Sequence, residues 1–499
     1  MRFRLLAPTA GLLVALLLAA PAMAVAPATP ATGHWVSVGP TVYPVFRGGD
    51  SVLGTRIGPD GRLYVFGGFT DAAGDPTADN IVVYDPATGL WAGLGSNGAG
   101  DGALSQTVRS VVWLNGVLYA GGQFKTAGGV TGADYVAAWN GTTWTRRGGP
   151  GALSAPVTSL AVQNGLLYAG GSFLNASGDA TADYVAVFDG YAWHGLASAG
   201  ALDGDLNATV WAIQVLPDGR VYAGGLFSNV GPSGKCDLVC WWDPASESWN
   251  NVGGSAGPDS ALSGAVYDLA VSGSRVYVAG GFFDAGGNAR ADMVAMWTGT
   301  AWTNLGSNVA GTDGAISGSI FGLRLYGSNV IVTGGFSNAA GVAAADGVAV
   351  WTGSKWMALG NPAPDTGPWH TTVVGRTLYM SGPFSEIAGV GNTQSLAAYG
   401  LPGVPSAPRF PAGTSGTKLV VLKWSAPSTT NGSGAVGDYV VQWRKSGTTS
   451  WHTFADGVRS TTGARVTGLL SGVTYQFRVA AKSDWGTGSY SATVTKKAK

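Results

Sequence analysis

Charge is scarce in this chain. Only 11% of the 499 residues are Asp, Glu, Lys or Arg, and 28 basic residues balance 28 acidic ones to a net charge of zero. Such a composition argues against the phosphate contacts that hold nucleic acid and against a polybasic patch for an anionic membrane. Glutamate is confined to Glu247 and Glu386, and histidine to His34, His194, His370 and His452. The histidines are scattered without ligand spacing, so no metal centre or other cofactor is expected. No Gly-x-Ser-x-Gly elbow stands beside a histidine partner, and no aspartate pair is marked out for glycoside hydrolysis.

Cysteine is nearly absent too, with Cys236 and Cys240 alone. On an extended strand a spacing of four puts them ~13 Å apart, too far for a disulfide, whereas a turn between them would close the gap. A local disulfide and two unpaired small core residues both remain open, and two thiolates without histidines make a poor zinc site. Long apolar runs are lacking beyond the first turns of the chain. There, Arg2 and Arg4 precede an apolar stretch from Leu12 to Ala20 and a small-residue cleavage site at Ala22-Met23-Ala24. That stretch is shorter than the ~20 residues a membrane-spanning helix needs. The expectation is a signal peptide over 1–24, an Ala/Pro-rich linker over 25–32, and a mature protein that is extracellular, monomeric and not inserted in a membrane.

What the chain has in abundance is glycine, 81 residues, alongside 45% apolar and 10% aromatic residues. This suits short strands joined by tight turns. An aromatic-x-x-Gly-x-Phe motif recurs seven times, at Tyr64, Tyr119, Tyr168, Tyr222, Tyr277, Ile331 (where Ile replaces the aromatic) and Tyr379. An apolar run ending in an aromatic follows each copy: Tyr84, Trp139, Phe188, Trp242, Trp297, Trp351 and Tyr399. A third motif, Trp followed by a turn-ending Gly, closes only the first six units, at Trp91, Trp144, Trp193, Trp249, Trp302 and Trp356. The missing copy stands before the first unit, at Trp35-Val36-Ser37-Val38-Gly39.

Each unit therefore reads as four antiparallel strands, a to d, with Asn-Gly and Asp-Gly hairpin turns between a and b and between c and d. Such units arranged radially are propeller blades. An open array would need capping repeats at both ends, whereas here the two ends are complementary parts of one blade, so the ring should close. The expected fold is all-β: a seven-bladed β-propeller over 33–400, a linker over 401–406, and a second domain over 407–495. The recurring tryptophans then belong to the scaffold. Asp79, Asp134, Asp183, Asp237, Asp292 and Asp346, each five residues before the strand-c aromatic, are read as acceptors for backbone N–H groups in their own b–c loops.

The Leu-Tyr-Ala-Gly-Gly and Val-Ala-x-Trp patterns resemble the kelch-like and galactose oxidase-like propellers. They resemble more closely the Gly-Gly-Phe repeats of fungal cell-surface cortical-marker propellers and their bacterial secreted relatives. Galactose oxidase's copper chemistry does not carry over, because its histidines and Cys–Tyr crosslink have no counterpart here. The C-terminal region resembles a fibronectin type III domain. The residues are Pro405 and Pro408, Leu422-Lys423-Trp424, Tyr439-Val440-Val441-Gln442-Trp443, and Leu469 six residues before Tyr475. The resemblance implies that Trp424 is the core tryptophan and Tyr475 the corner tyrosine bonded back to the backbone. There is no Arg-Gly-Asp motif, so integrin-type recognition does not transfer.

In blades ordered a to d, the b–c and d–a loops share one face and are the long ones, so binding is expected there. Residues serving the fold should repeat from blade to blade, and residues serving a ligand should break the repeat. One column near the start of strand a does so: Leu53, Arg109, Thr158, Trp211, Tyr267, Phe321 and Trp369, with His370 beside it. Trp211, Tyr267, Phe321, Trp369, Arg109 and His370 are the candidate ligand-binding residues, although packing between blades also explains aromatics there. Asp101, Asp203, Asp205, Asp259 and Asp313 in the d–a loops are read as turn acids rather than calcium ligands. The expected function is that of a non-catalytic binding or adhesion protein taking a glycan or an extracellular protein. A polysaccharide-degrading enzyme or accessory module, and a purely structural cell-surface component, are the alternatives.

Overall fold

The computed structural model describes residues 31–39, 44–231, 236–253, 261–360, 364 and 366–499. The expected signal peptide, almost all of the 25–32 linker and Asp259 lie outside the described residues. Within them, seven antiparallel sheets hold four strands each. The innermost strands, one per sheet, are Ser51–Ile57, Val108–Leu114, Val157–Gln163, Val210–Val215, Val266–Ser272, Ile320–Tyr326 and His370–Val374. Each packs against the next, and the last packs back against the first, so the sheets form a closed propeller ring. The blades are numbered one to seven in that order.

Closure uses the displaced strand. Trp35–Ser37 pairs antiparallel with Leu396–Gly400, joining Trp35 to Tyr399, and so supplies the outer strand of blade seven. The Trp35 ring lies 4.8 Å from that of Tyr399, and its indole N–H donates to the Leu359 carbonyl of blade six at 2.8 Å. Trp144, Trp249 and Trp356 make the same bond to a leucine carbonyl (Leu94, Leu196 and Leu305) in the loop leaving the preceding blade. The repeated tryptophan is therefore an inter-blade bolt that packs a large ring into the gap; Trp35, Trp144, Trp249 and Trp356 also satisfy their one donor across it, whereas the indole N–H groups of Trp91, Trp193 and Trp302 have no partner. Apolar clusters fill each gap between blades, including the gap between blades seven and one.

The turns on one face are as short as expected. Asn115-Gly116 and Asn164-Gly165 have positive φ at both residues, the requirement of a type I′ hairpin. In the b–c loops, the recurring aspartates fix a left-handed residue eight positions earlier. The Asp71 N–H donates to Asp79 at 2.8 Å, Asn175 to Asp183 at 2.6 Å and Asp284 to Asp292 at 2.7 Å. Asn229 and Asn338 donate likewise to Asp237 and Asp346. In blade two the equivalent loop forms a small hairpin, Thr126–Ala127 with Val130–Thr131, and Asp134 makes no such bond.

Cys236 and Cys240 are joined in a disulfide with Cα atoms 5.8 Å apart. Strand c of blade four begins only at Val239, and Leu238 has φ +63°, so the chain between the cysteines turns rather than extends.

The C-terminal residues form a β-sandwich of two sheets around Trp424, Tyr439 and Tyr475. The Leu470 N–H donates to the Tyr475 hydroxyl at 3.0 Å, which makes Tyr475 the corner residue. This domain docks on blades six and seven. Trp485 is buried beside Tyr326, Tyr326 donates to the Pro402 carbonyl at 2.9 Å, and Arg376 donates to the Leu401 and Asn431 carbonyls. Tyr326 and Arg376 end or form a–b turns, so docking occupies the short-turn face and leaves the long-loop face free.

Candidate functional site at the channel mouth

In six blades the pairing of strand a with strand b slips by one residue: between Val52 and Gly54, Val108 and Ser110, Val157 and Ser159, Val210 and Ala212, Val266 and Asp268, and Ile320 and Gly322. The residue inside each slip is Leu53, Arg109, Thr158, Trp211, Tyr267 or Phe321, so the column that breaks the sequence repeat is a ring of β-bulges. A bulge bends its strand and re-aims the extra side chain. The repeated Gly of the motif lies opposite. A Cβ at Gly122 would stand 2.2 Å from the Thr107 carbonyl oxygen, and one at Gly171 would stand 2.3 Å from that of Pro156. Glycine is needed there because the backbones touch. Blade seven has no slip. Trp369 precedes its inner strand, with its N–H donating to the Ser381 carbonyl at 2.9 Å, and His370 opens that strand.

All six candidate residues reach one cavity of about 530 Å³ at the channel mouth. Trp211 meets Tyr267 edge-on at 6.5 Å, and Tyr267 meets Phe321 at 5.7 Å. These three rings and Trp369 are half-buried, in contrast to the fully buried scaffold phenylalanines such as Phe124 and Phe173. The Trp211 indole N–H has no hydrogen-bond partner. An arc of partly open aromatic faces suits an amphipathic ligand.

Below the cup, a second cavity of about 390 Å³ runs into the channel and shares Arg109, Trp211, Tyr267 and His370 with it. Its floor holds residues that the repeat pattern did not single out: Arg56, Arg324, Asp268 and Gln214. The position just after the bulge staples neighbouring blades. Ser110 Oγ accepts from the Leu160 N–H, Ser159 Oγ from the Ile213 N–H and Asp268 Oδ2 from the Leu323 N–H. Asp268 also accepts from the Leu269 N–H at 2.9 Å and from Arg324 at 2.6 Å, so both its oxygens are engaged. Arg56 and Arg324 sit at equivalent positions of blades one and six, each opposite its motif residue, Tyr64 or Ile331.

Burial sets the charge states in the channel. Arg56 is open to the channel yet walled by protein. Desolvation, and then the charge of Arg324, lower its pKa to about 10 against the pull of Asp268. Desolvation lowers that of Arg109 as well. His370 is lowered to about 4, first by desolvation, opposed by Asp268 and reinforced by Arg324, Arg109 and Arg56, so it is neutral at pH 7.

The loop acids serve the loops. Asp205 accepts from the Ser198 N–H, and burial, with the neighbouring acid Asp203 or Asp313 adding to it, raises the pKa of Asp183 and of Asp292. Among the described residues, no three or more His, Cys, Asp or Glu side chains group as metal ligands.

A ring of antiparallel four-stranded blades with its cavity at the long-loop mouth defines a β-propeller, and its C-terminal partner is a fibronectin type III sandwich. The comparisons with known proteins agree. Residues 194–367 match the Rax2 C-terminal beta propeller domain, and residues 404–497 match the fibronectin type III domain. Among solved structures, the chain is similar to the twitchin kinase region from C. elegans at 26% identity over 19% of this chain and 17% of that one, with a TM-score of 0.18. It is also similar to the chicken CNTN1 FN1-FN3 domains, at 24% identity over 19% of this chain and 33% of that one, with a TM-score of 0.18. The FN5 domain of Drosophila Lar is 23% identical over 19% of this chain and 97% of that one, with a TM-score of 0.16. The chain thus spans under a fifth of the twitchin chain it matches.

The pairing of a propeller with a fibronectin type III domain suggests a binding or adhesion type of module. The disulfide and the fibronectin type III domain fit an extracellular protein, and among the described residues no helix is long and apolar enough to cross a membrane.

Proposed function

We propose that the protein is a secreted, monomeric, non-catalytic binding protein that takes a glycan in the aromatic cup at the long-loop mouth of its propeller. The observation that carries this reading is the convergence of Trp211, Tyr267, Phe321 and Trp369 on one open cavity, held there by a bulge in three blades and by the start of the inner strand in the fourth. Pyranose rings stack on such faces through their C–H groups while their hydroxyls stay wet. Hydrolysis of a glycosidic bond by the usual route needs two carboxyl groups flanking it. Asp268 is the one carboxylate lining the cup or channel among the described residues, and it is already engaged by three donors.

A glycan array probed with the purified protein, followed by a reducing-sugar release assay on any ligand found, tests the proposal. Binding without release is expected. Release of reducing ends, or no binding to any glycan, overturns it.

A further inference from the structure

The channel beneath the cup carries a charge imbalance that the fold does not use. Three guanidinium groups, Arg56, Arg109 and Arg324, face it against one carboxylate, Asp268. Arg324 and Asp268 neutralise one another at 2.6 Å. Arg56 and Arg109 have no hydrogen bond or ion pair to any described residue, and the remaining polar groups nearby are neutral or already engaged. Thr372 donates to the Thr55 carbonyl at 2.7 Å, Thr158 to the Gly170 carbonyl at 3.0 Å, and Gln214 bridges to the backbone of Val271. His370 stays neutral, so it neither adds to nor offsets the imbalance.

Two guanidiniums in a partly desolvated channel, in a chain whose overall charge is zero, constitute a local cost that scaffold needs do not explain. The equivalent strand positions in blades two, three and five are Val112, Ala161 and Ala270, so the geometry of the blade is met without a cation. Arg109 lines both the cup and the channel, and therefore connects the aromatic arc to Arg56 below.

We infer that the channel is an oxyanion site, and that the ligand is an acidic saccharide whose carboxylate or sulfate group descends from the aromatic cup to Arg56 and Arg109. The inference rests on the glycan reading given above and names the class of glycan. Guanidinium is the side chain suited to such groups, because its planar fork donates two parallel N–H bonds to a carboxylate or sulfate. The sugar ring would stack on the arc while the acid group supplies the counter-charge the channel lacks.

The experiment is calorimetric titration of the full chain with three probes: an oligogalacturonate, a sulfated galactan oligosaccharide and a neutral oligogalactan of equal length. Wild type, Arg56→Gln with Arg109→Gln, and Arg275→Gln, an exposed arginine of blade five, are compared. At least one acidic probe should bind about tenfold or more tighter than the neutral one, and the double variant should lose that difference while Arg275→Gln keeps it. Which of the two acidic probes binds identifies the acid group as carboxylate or sulfate.

Thermal unfolding of the same variants guards against misfolding. Without ligand the double variant should be at least as stable as wild type, because two unpaired cations leave a channel whose one carboxylate is already paired with Arg324. Equal binding of acidic and neutral probes, or a charge preference that survives the double substitution, overturns the oxyanion site while leaving the glycan cup standing. Stabilisation by inorganic sulfate that depends on Arg56 and Arg109, with no saccharide bound at all, would keep the anion site but overturn the acidic-sugar assignment together with the glycan reading.

Discussion

At the scale of single residues, a side chain's role here depends on where its blade departs from the others. Asp79, Asp183 and Asp292 repeat and serve their own loops, whereas His370 occupies the position filled by Ser110 and Ser159 in blades two and three and makes no staple there. Its pKa of about 4 in the folded protein lies below the 6.5 of a free imidazole. Between those values the unfolded chain binds a proton that the native chain does not, so stability rises with pH through this window and falls as pH drops from 6.5 towards 4. Chemical denaturation at pH 7 and pH 4.5 should show wild type losing about 1–3 kcal/mol more than His370→Gln, the channel's water keeping the loss below the full value of the shift. Equal losses would show that His370 titrates normally. The same residue-by-residue comparison marks the aromatic column from sequence alone. It passes over Arg56 and Arg324, because the bulge three residues earlier sets which side chains face the channel, and a slip of one residue exchanges the two faces of a strand.

At the scale of elements, the N-terminal strand and the hairpins were legible because each carries its own chemistry. Trp35 has a tryptophan's partner in Tyr399, and Asn115-Gly116 has the positive φ values only such a pair adopts cheaply. The cysteine pair was not legible to the same degree, since strand c of blade four starts later than an unbroken extended reading of residues 236–240 implies. Ring closure makes a quantitative demand. Trp35→Ala removes a buried ring and its bond to Leu359, and should cost about 3–5 kcal/mol by denaturant titration, comparable to Trp144→Ala within blade two. A cost below about 1 kcal/mol for Trp35→Ala would mean that blade seven holds without its outer strand.

For the whole molecule, the two domains divide the propeller between them: the sandwich sits against the short turns of blades six and seven, and the cup opens on the other face. Most of what holds the sandwich is Trp485 against Tyr326 and the carbonyls taken by Arg376, since the exposed Lys355–Asp484 pair adds little. Removing residues 401–499 should therefore leave a cooperatively folded ring with a lowered melting temperature and unchanged glycan affinity. Loss of cooperative unfolding in that truncation would instead make the sandwich part of the propeller's core.

The cup itself is tested most directly by titrating tryptophan fluorescence with the glycan that the array selects, for wild type and for Trp211→Ala and Trp369→Ala. The arrangement of the arc predicts quenching in wild type and affinity reduced about tenfold or more in each variant, at 1–3 kcal/mol per lost stacking face, with thermal unfolding little changed. Unaltered affinity in both variants, or variants that fail to fold, would contradict a glycan site at the channel mouth and return these aromatics to the scaffold.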